Sequence, residues 1–129
     1  MRIAYLSTDE VNHALAQRLA AADGSHLDLL WLRDPPPDGQ FDAVLCDLDS
    51  WPASLRAEVL SRLLAATPFL PVAVHSYGPE EEQTEALRSG GVTVFNQLGP
   101  EVFRTLHRAA HPAWDGHADA AADLVRQAQ

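Results

Sequence analysis

At 129 residues, 47% of them apolar, the chain suits one domain that buries roughly two thirds of its unfolded surface. All nine basic residues are arginine. That excludes a P-loop lysine, a Schiff-base lysine and a lysine general base, and a net charge of −9 with no basic stripe argues against nucleic acid or an anionic membrane as partner. The single cysteine, Cys46, rules out an internal disulfide and a cysteine-rich metal site. No apolar run approaches the roughly 20 residues of a membrane helix. The opening residues lack the apolar core of a signal peptide, so a reducing cytoplasm is the expected location.

Ile3 to Leu6 reads as a strand ending at Ser7-Thr8-Asp9, a helix N-cap sequence. Val11, Leu15, Leu19 and Ala22 then form a helical stripe that Asp23-Gly24-Ser25 terminates. Leu27 to Leu32 is the second strand. Residues 33 to 40, with prolines at 35, 36 and 37, forbid a helix before the third strand, Phe41 to Leu48. Leu55, Val59, Leu60, Leu63 and Leu64 return to helical spacing, and Val72 to Ser76 is a fourth strand. Pro79 followed by three glutamates opens the next helix, with its carboxylates near the positive end of the dipole. Ser89-Gly90-Gly91 ends it, Val92 to Gln97 is a fifth strand, and Gly99-Pro100 begins a helix packed through Val102, Phe103, Leu106 and Ala110. An alanine-rich helical tail is expected within residues 113 to 129, after a domain of residues 1 to 112.

Strands alternating with helices predict a doubly wound α/β sandwich with a five-stranded parallel sheet in the order 2-1-3-4-5 and no helix between strands 2 and 3. Eight extended residues span roughly 26 to 29 Å, enough to pass one intervening strand and one strand length. The sheet face left without that helix should be apolar, with Leu55, Val59 and Leu63 as its interaction surface for a protein partner or a second copy.

Ligands of such folds meet the carboxyl ends of the strands, which here carry Ser7, Thr8, Asp9, Asp47, Asp49, Ser76 and Gln97. FDAVLCDLDSWP resembles the third-strand pattern of the response-regulator receiver family of two-component signalling, LPVAVHSYG its fourth strand, and ALRSGGVTVFNQL the passage into its fifth. The resemblance spans about residues 2 to 110. It implies a CheY-like, flavodoxin-like fold, Asp47 as the phosphoacceptor equivalent and Ser76 as the hydroxyl that turns toward a phosphoryl group. It also implies a magnesium ion on an acidic pair after strand 1 and a lysine after strand 5.

This chain departs from that pattern. Ser7-Thr8 stand for the acidic pair with Asp9 one place late, Gln97 stands for the lysine and Leu98 for the proline after it, and one residue is inserted between Asp47 and Pro52. Hydroxyls are poor ligands for a hard cation, which leaves at most weak magnesium binding at Asp47 and Asp9, and glutamine brings no charge. The expectation is a non-enzymatic pseudo-receiver acting through protein contacts. A degenerate but phosphorylatable receiver and a small-molecule-binding flavodoxin-like domain are the alternatives. Asp47 and Asp49 also suit the ordinary fate of aspartate after a strand, accepting backbone N–H bonds. His107 and His111 share a helix face, with His117 beyond, but a histidine near a helix C-terminus needs no metal. Cys46 reads as a small buried hydrophobe.

Overall fold

A computed structural model of the protein describes residues 1–32, 34, 40–78 and 80–111. Among these residues five strands, β1 (Arg2–Leu6), β2 (His26–Leu30), β3 (Ala43–Asp47), β4 (Val72–His75) and β5 (Thr93–Phe95), are joined with four α-helices, α1 (Glu10–Ala22), α2 (Ala53–Ala66), α3 (Glu81–Ser89) and α4 (Pro100–Ala110). All strand pairs are parallel and the order is β2-β1-β3-β4-β5, as the element pattern predicts. No helix lies between β2 and β3 among the described residues. Most of the triple-proline connection, and the tail expected at 113–129, lie outside them.

Period-two alternation in β1, β3 and β4 divides the core into two layers. Ile3, Tyr5, Ala43, Leu45 and Ala73 face α1 and α4, packing with Ala16, Ala20, Val102, Phe103 and Leu106. Ala4, Leu6, Val44, Cys46, Val72 and Val74 face the other way, against Trp51, Val59, Leu63 and Leu87 of the α2 and α3 side. Helix ends follow local chemistry. Asp9 caps α1 by accepting N–H bonds from Val11 and Asn12, and Gly24, just past its end, takes φ of 75°, where a Cβ would be strained. Strand limits are tighter than the apolar runs suggest. Leu48–Ser50 leave β3 as a 3-10 turn, and Trp31 and Leu32 leave β2.

Two expectations about the open flank need correction. Val59 and Leu63 do not form a surface: they are 0% and 1% exposed, because α2 lays that stripe directly on β1, β3 and β4, leaving only Leu55 partly exposed. Nor is the flank uniformly apolar. Where β1 and β2 face solvent, Arg2 bonds Asp28 at 2.8 Å, His26 approaches the same carboxylate at 3.1 Å, and the Arg2 guanidinium lies 5.0 Å from the centre of the Phe41 ring. The Arg2 hydrogen bond holds the Asp28 carboxyl below its ordinary range. Charged side chains thus replace a covering helix at one end of the flank. At the other end Leu32 folds into the core, 3% exposed, and Trp31 packs on Trp51 with ring centroids 5.1 Å apart.

Because Leu63 is core, Leu63→Ala should lower stability by about 3 kcal/mol. Val59→Glu, an unpaired buried carboxylate, should abolish cooperative folding. Denaturant unfolding followed by circular dichroism measures both; a Val59→Glu protein as stable as the parent would contradict the packing described.

Candidate functional site

At the carboxyl end of the sheet the loops after β1, β3 and β4 converge on Asp47, which is 1% exposed. Parallel pairing puts it beside His75 on β4. Its Oδ2 accepts from the Ser7 hydroxyl at 3.0 Å and from the Asn12 side-chain amide at 2.9 Å, while His75 Nδ1 is 3.9 Å from Oδ1. The buried carboxylate is therefore bonded by two neutral donors. Asn12 reaches it because the Asp9 cap starts α1 at Glu10, which puts position 12 in its first turn.

The neighbouring carboxylates are also engaged. Asp9 Oδ1 accepts from the Val11 and Asn12 backbone N–H groups at 2.8 and 3.0 Å, so that oxygen serves the helix terminus. Asp49, carried on the 3-10 turn, accepts the Ser76 hydroxyl at 2.6 Å and the Tyr77 N–H at 2.8 Å, tying the loop after β3 to the loop after β4. Ser76 is 0% exposed. Thr8 bonds Ser50, its N–H to the hydroxyl at 3.0 Å and its own hydroxyl to the carbonyl, and the Ser50 hydroxyl donates to the Asp47 carbonyl at 2.9 Å. Six of the seven strand-end residues singled out in the sequence are thus brought together. Gln97 is not: it lines an open groove of about 670 Å³ with Arg88, Asn96 and Arg104 and makes no hydrogen bond to the Asp47 cluster.

Below this layer lies a buried polar pair that apolar patterning does not reveal. The Tyr5 hydroxyl and His75 Nε2 are 2.7 Å apart, with their rings stacked at 5.9 Å and the His13 ring stacked with Tyr5 at 6.3 Å. Burial pushes the Tyr5 phenol well above its usual range, and the Asp47 charge adds to this. Burial, again with Asp47, does the same to Cys46, whose thiol stays protonated and inert. Burial holds the His75 imidazole below the ordinary histidine range, against the opposing pull of Asp47 and Asp49. His75, Tyr5, Asn12 and Tyr77 are site residues that motif matching passes over. A histidine in the last position of an apolar strand, next to Ser76, was the available signal for His75.

Among the described residues no group of three or more His, Cys, Asp or Glu side chains is arranged to hold a metal ion. His107 and His111 lie against each other at 4.9 Å, and His107 faces Asp23 at 3.5 Å; His117 lies outside the described residues. No described helix is long and apolar enough to cross a membrane.

No family model matches the chain, and no curated protein does. Solved structures do. The Vibrio cholerae chemotaxis protein CheY4 superposes with a TM-score of 0.62 at 15% identity, covering 84% of this chain and 97% of that one. A fusion protein carrying a yeast Spc42 trimeric coiled-coil segment gives a TM-score of 0.62 at 13% identity, covering 98% and 89%. At such identities the likeness shows the fold, which is CheY-like and flavodoxin-like.

Two outcomes follow from the geometry. Asp9→Ala should cost about 1 kcal/mol through loss of the α1 cap, measured by denaturant unfolding. An imidazole held below its unfolded value takes up its proton first in the unfolded chain. The His75 contribution is therefore complete above about pH 6.5 and is lost as pH falls below that value. Melting temperature should drop between pH 7 and 5, and less steeply in His75→Gln; parallel profiles would show that His75 is not the responsible group.

Proposed function

We propose that the chain is a receiver-like signalling module that acts through protein–protein contacts and does not depend on aspartyl phosphorylation. One observation carries the reading: the carboxylates that would receive a cation or lie beside a phosphoryl group already have internal partners. Asp47 has Ser7 and Asn12, Asp9 has the α1 amides, and Asp49 has Ser76 and Tyr77. Phosphoryl transfer to a carboxylate requires positive charge around the transferring group, and neutral donors with no lysine anywhere in the sequence supply none. The donor set does not suit magnesium, which prefers charged oxygens in an octahedral shell.

The bond between Asp49 and the Ser76 and Tyr77 pair gives the module one held arrangement of the loops after β3 and β4. A carboxylate belonging to the chain occupies the hydroxyl that the receiver resemblance assigns to a phosphoryl group. Under this reading the domain catalyses nothing and presents a fixed surface to a protein partner, with a net charge of −9 disfavouring nucleic acid.

Titration with beryllofluoride and magnesium, followed by backbone amide NMR, tests this. Resonances near Asp47, Ser76 and Gln97 should stay in place, and acetyl phosphate should leave the intact mass unchanged. Saturable shifts at those three positions, lost in Asp47→Ala, would instead establish a phosphorylatable receiver.

A further inference from the structure

On the open flank, α2 borders its buried stripe with a half-exposed one, whose Leu55 and Ala66 also pack against the core. Leu55, Glu58, Arg62 and Ala66 follow at three- and four-residue steps and so share one side of the helix. Leu55 and Glu58 line a cleft of about 360 Å³ with Trp31 and Leu32; Arg62 and Ala66 lie with Leu30 and Trp31 around a separate, nearly filled gap that core residues Leu6, Val44 and Leu63 also line. Trp31 is 47% exposed, yet its ring is held by packing on Trp51, and its backbone N–H donates to the Asp34 carboxylate at 2.6 Å. A large aromatic side chain held rigidly beside a cleft loses little entropy on being covered. Glu58 and Arg62 form no ion pair, with each other or with another described residue.

We propose that this flank is a two-fold interface between two copies of the chain, with α2 antiparallel to the partner's α2. The stripe is complementary to itself under that one symmetry. An axis through the helix pair at position 60 puts Glu58 opposite Arg62 of the partner subunit and Arg62 opposite the partner's Glu58. The same axis sets the large Leu55 against the small Ala65 of the partner subunit, next to Ala66 of the partner subunit. An isologous contact demands this arrangement, opposite charges and unequal sizes at mirrored positions. The α3 surface of Glu81, Glu82 and Glu85 has one sign and would repel its copy. The inference rests on the chain being an interaction module and identifies the partner as a second copy.

Sedimentation equilibrium on the full chain and its variants tests it. The parent should dimerise reversibly. Glu58→Arg and Arg62→Glu should each weaken association at least about tenfold, since each replaces two attractive pairs by two repulsive ones. The double variant should recover the parental association constant while failing to pair with the parent in a mixture, and Ser61→Arg, on the outward face of α2, should behave as the parent. Circular dichroism confirms that each variant is folded. A monomeric parent, single variants that associate like the parent, or a folded double variant that stays dissociated would each overturn the proposal. The phosphorylation reading is separable: a monomeric parent that ignores beryllofluoride sinks only the interface, and a dimeric parent that responds to it sinks only phosphorylation independence.

Discussion

A parallel sheet must be kept from water on both faces, because its strands alternate between two cores and neither face is polar by default. In this chain α1 and α4 cover one face from β2 to β4. On the other, α2 and α3 cover β1 to β5 and reach only Leu30 of β2. Much of what distinguishes the protein follows from how that margin is closed. Arg2, His26 and Asp28 turn its lower part into a solvated charge cluster. Leu32 turns inward to seal the upper part, and Trp31 lies on Trp51 as a lid that is itself half exposed. The indole N–H of Trp51 donates to the Leu6 carbonyl at 3.3 Å, so the seal is anchored in the last residue of β1, one position before the polar site begins.

The site obeys a second, local requirement. A carboxylate buried as deeply as Asp47 has to be bonded or it would be neutralised, and in this chain the bonds come from a hydroxyl and an amide rather than from a cation. Both neutral donors bond Oδ2, while Oδ1 has His75 Nδ1 at 3.9 Å, and Asp47 adds to the burial that holds Tyr5 and Cys46 in their protonated forms. Asp49 repeats the arrangement one turn on, with a hydroxyl and a backbone N–H. The inserted residue that breaks the receiver pattern lies in this same short turn. The result is a polar floor whose hydrogen bonds tie three loops together.

Legibility from the sequence was uneven for physical reasons. Strand and helix identities, the parallel order and the clustering of Ser7, Thr8, Asp9, Asp47, Asp49 and Ser76 at one end were readable. Each depends on local periodicity and on the rule that strand ends converge. The role of α2 was misread. Leu55, Val59 and Leu63 lie on neighbouring helical positions, and periodicity says only that they share a side, not which side meets the sheet. The polar flank was missed because Arg2, His26 and Asp28 are separated in sequence and become neighbours only through the register Arg2↔His26 and Ala4↔Asp28. The same holds for Tyr5 and His75, 70 residues apart and joined across the sheet.

The sequence by itself determined the fold class, the strand order, the absence of any lysine chemistry and the set of polar residues delivered to the carboxyl edge, since all of these follow from composition, hydrophobic period and chain connectivity. Only the tertiary structure decided what those residues do there. Which donor satisfies Asp47, that Asp49 holds Ser76, and which stripe of α2 is core and which is surface all depend on distances of a few ångströms between segments far apart in the chain. Hydrogen bonding and packing are short-ranged, and no pattern along one dimension encodes a separation in three.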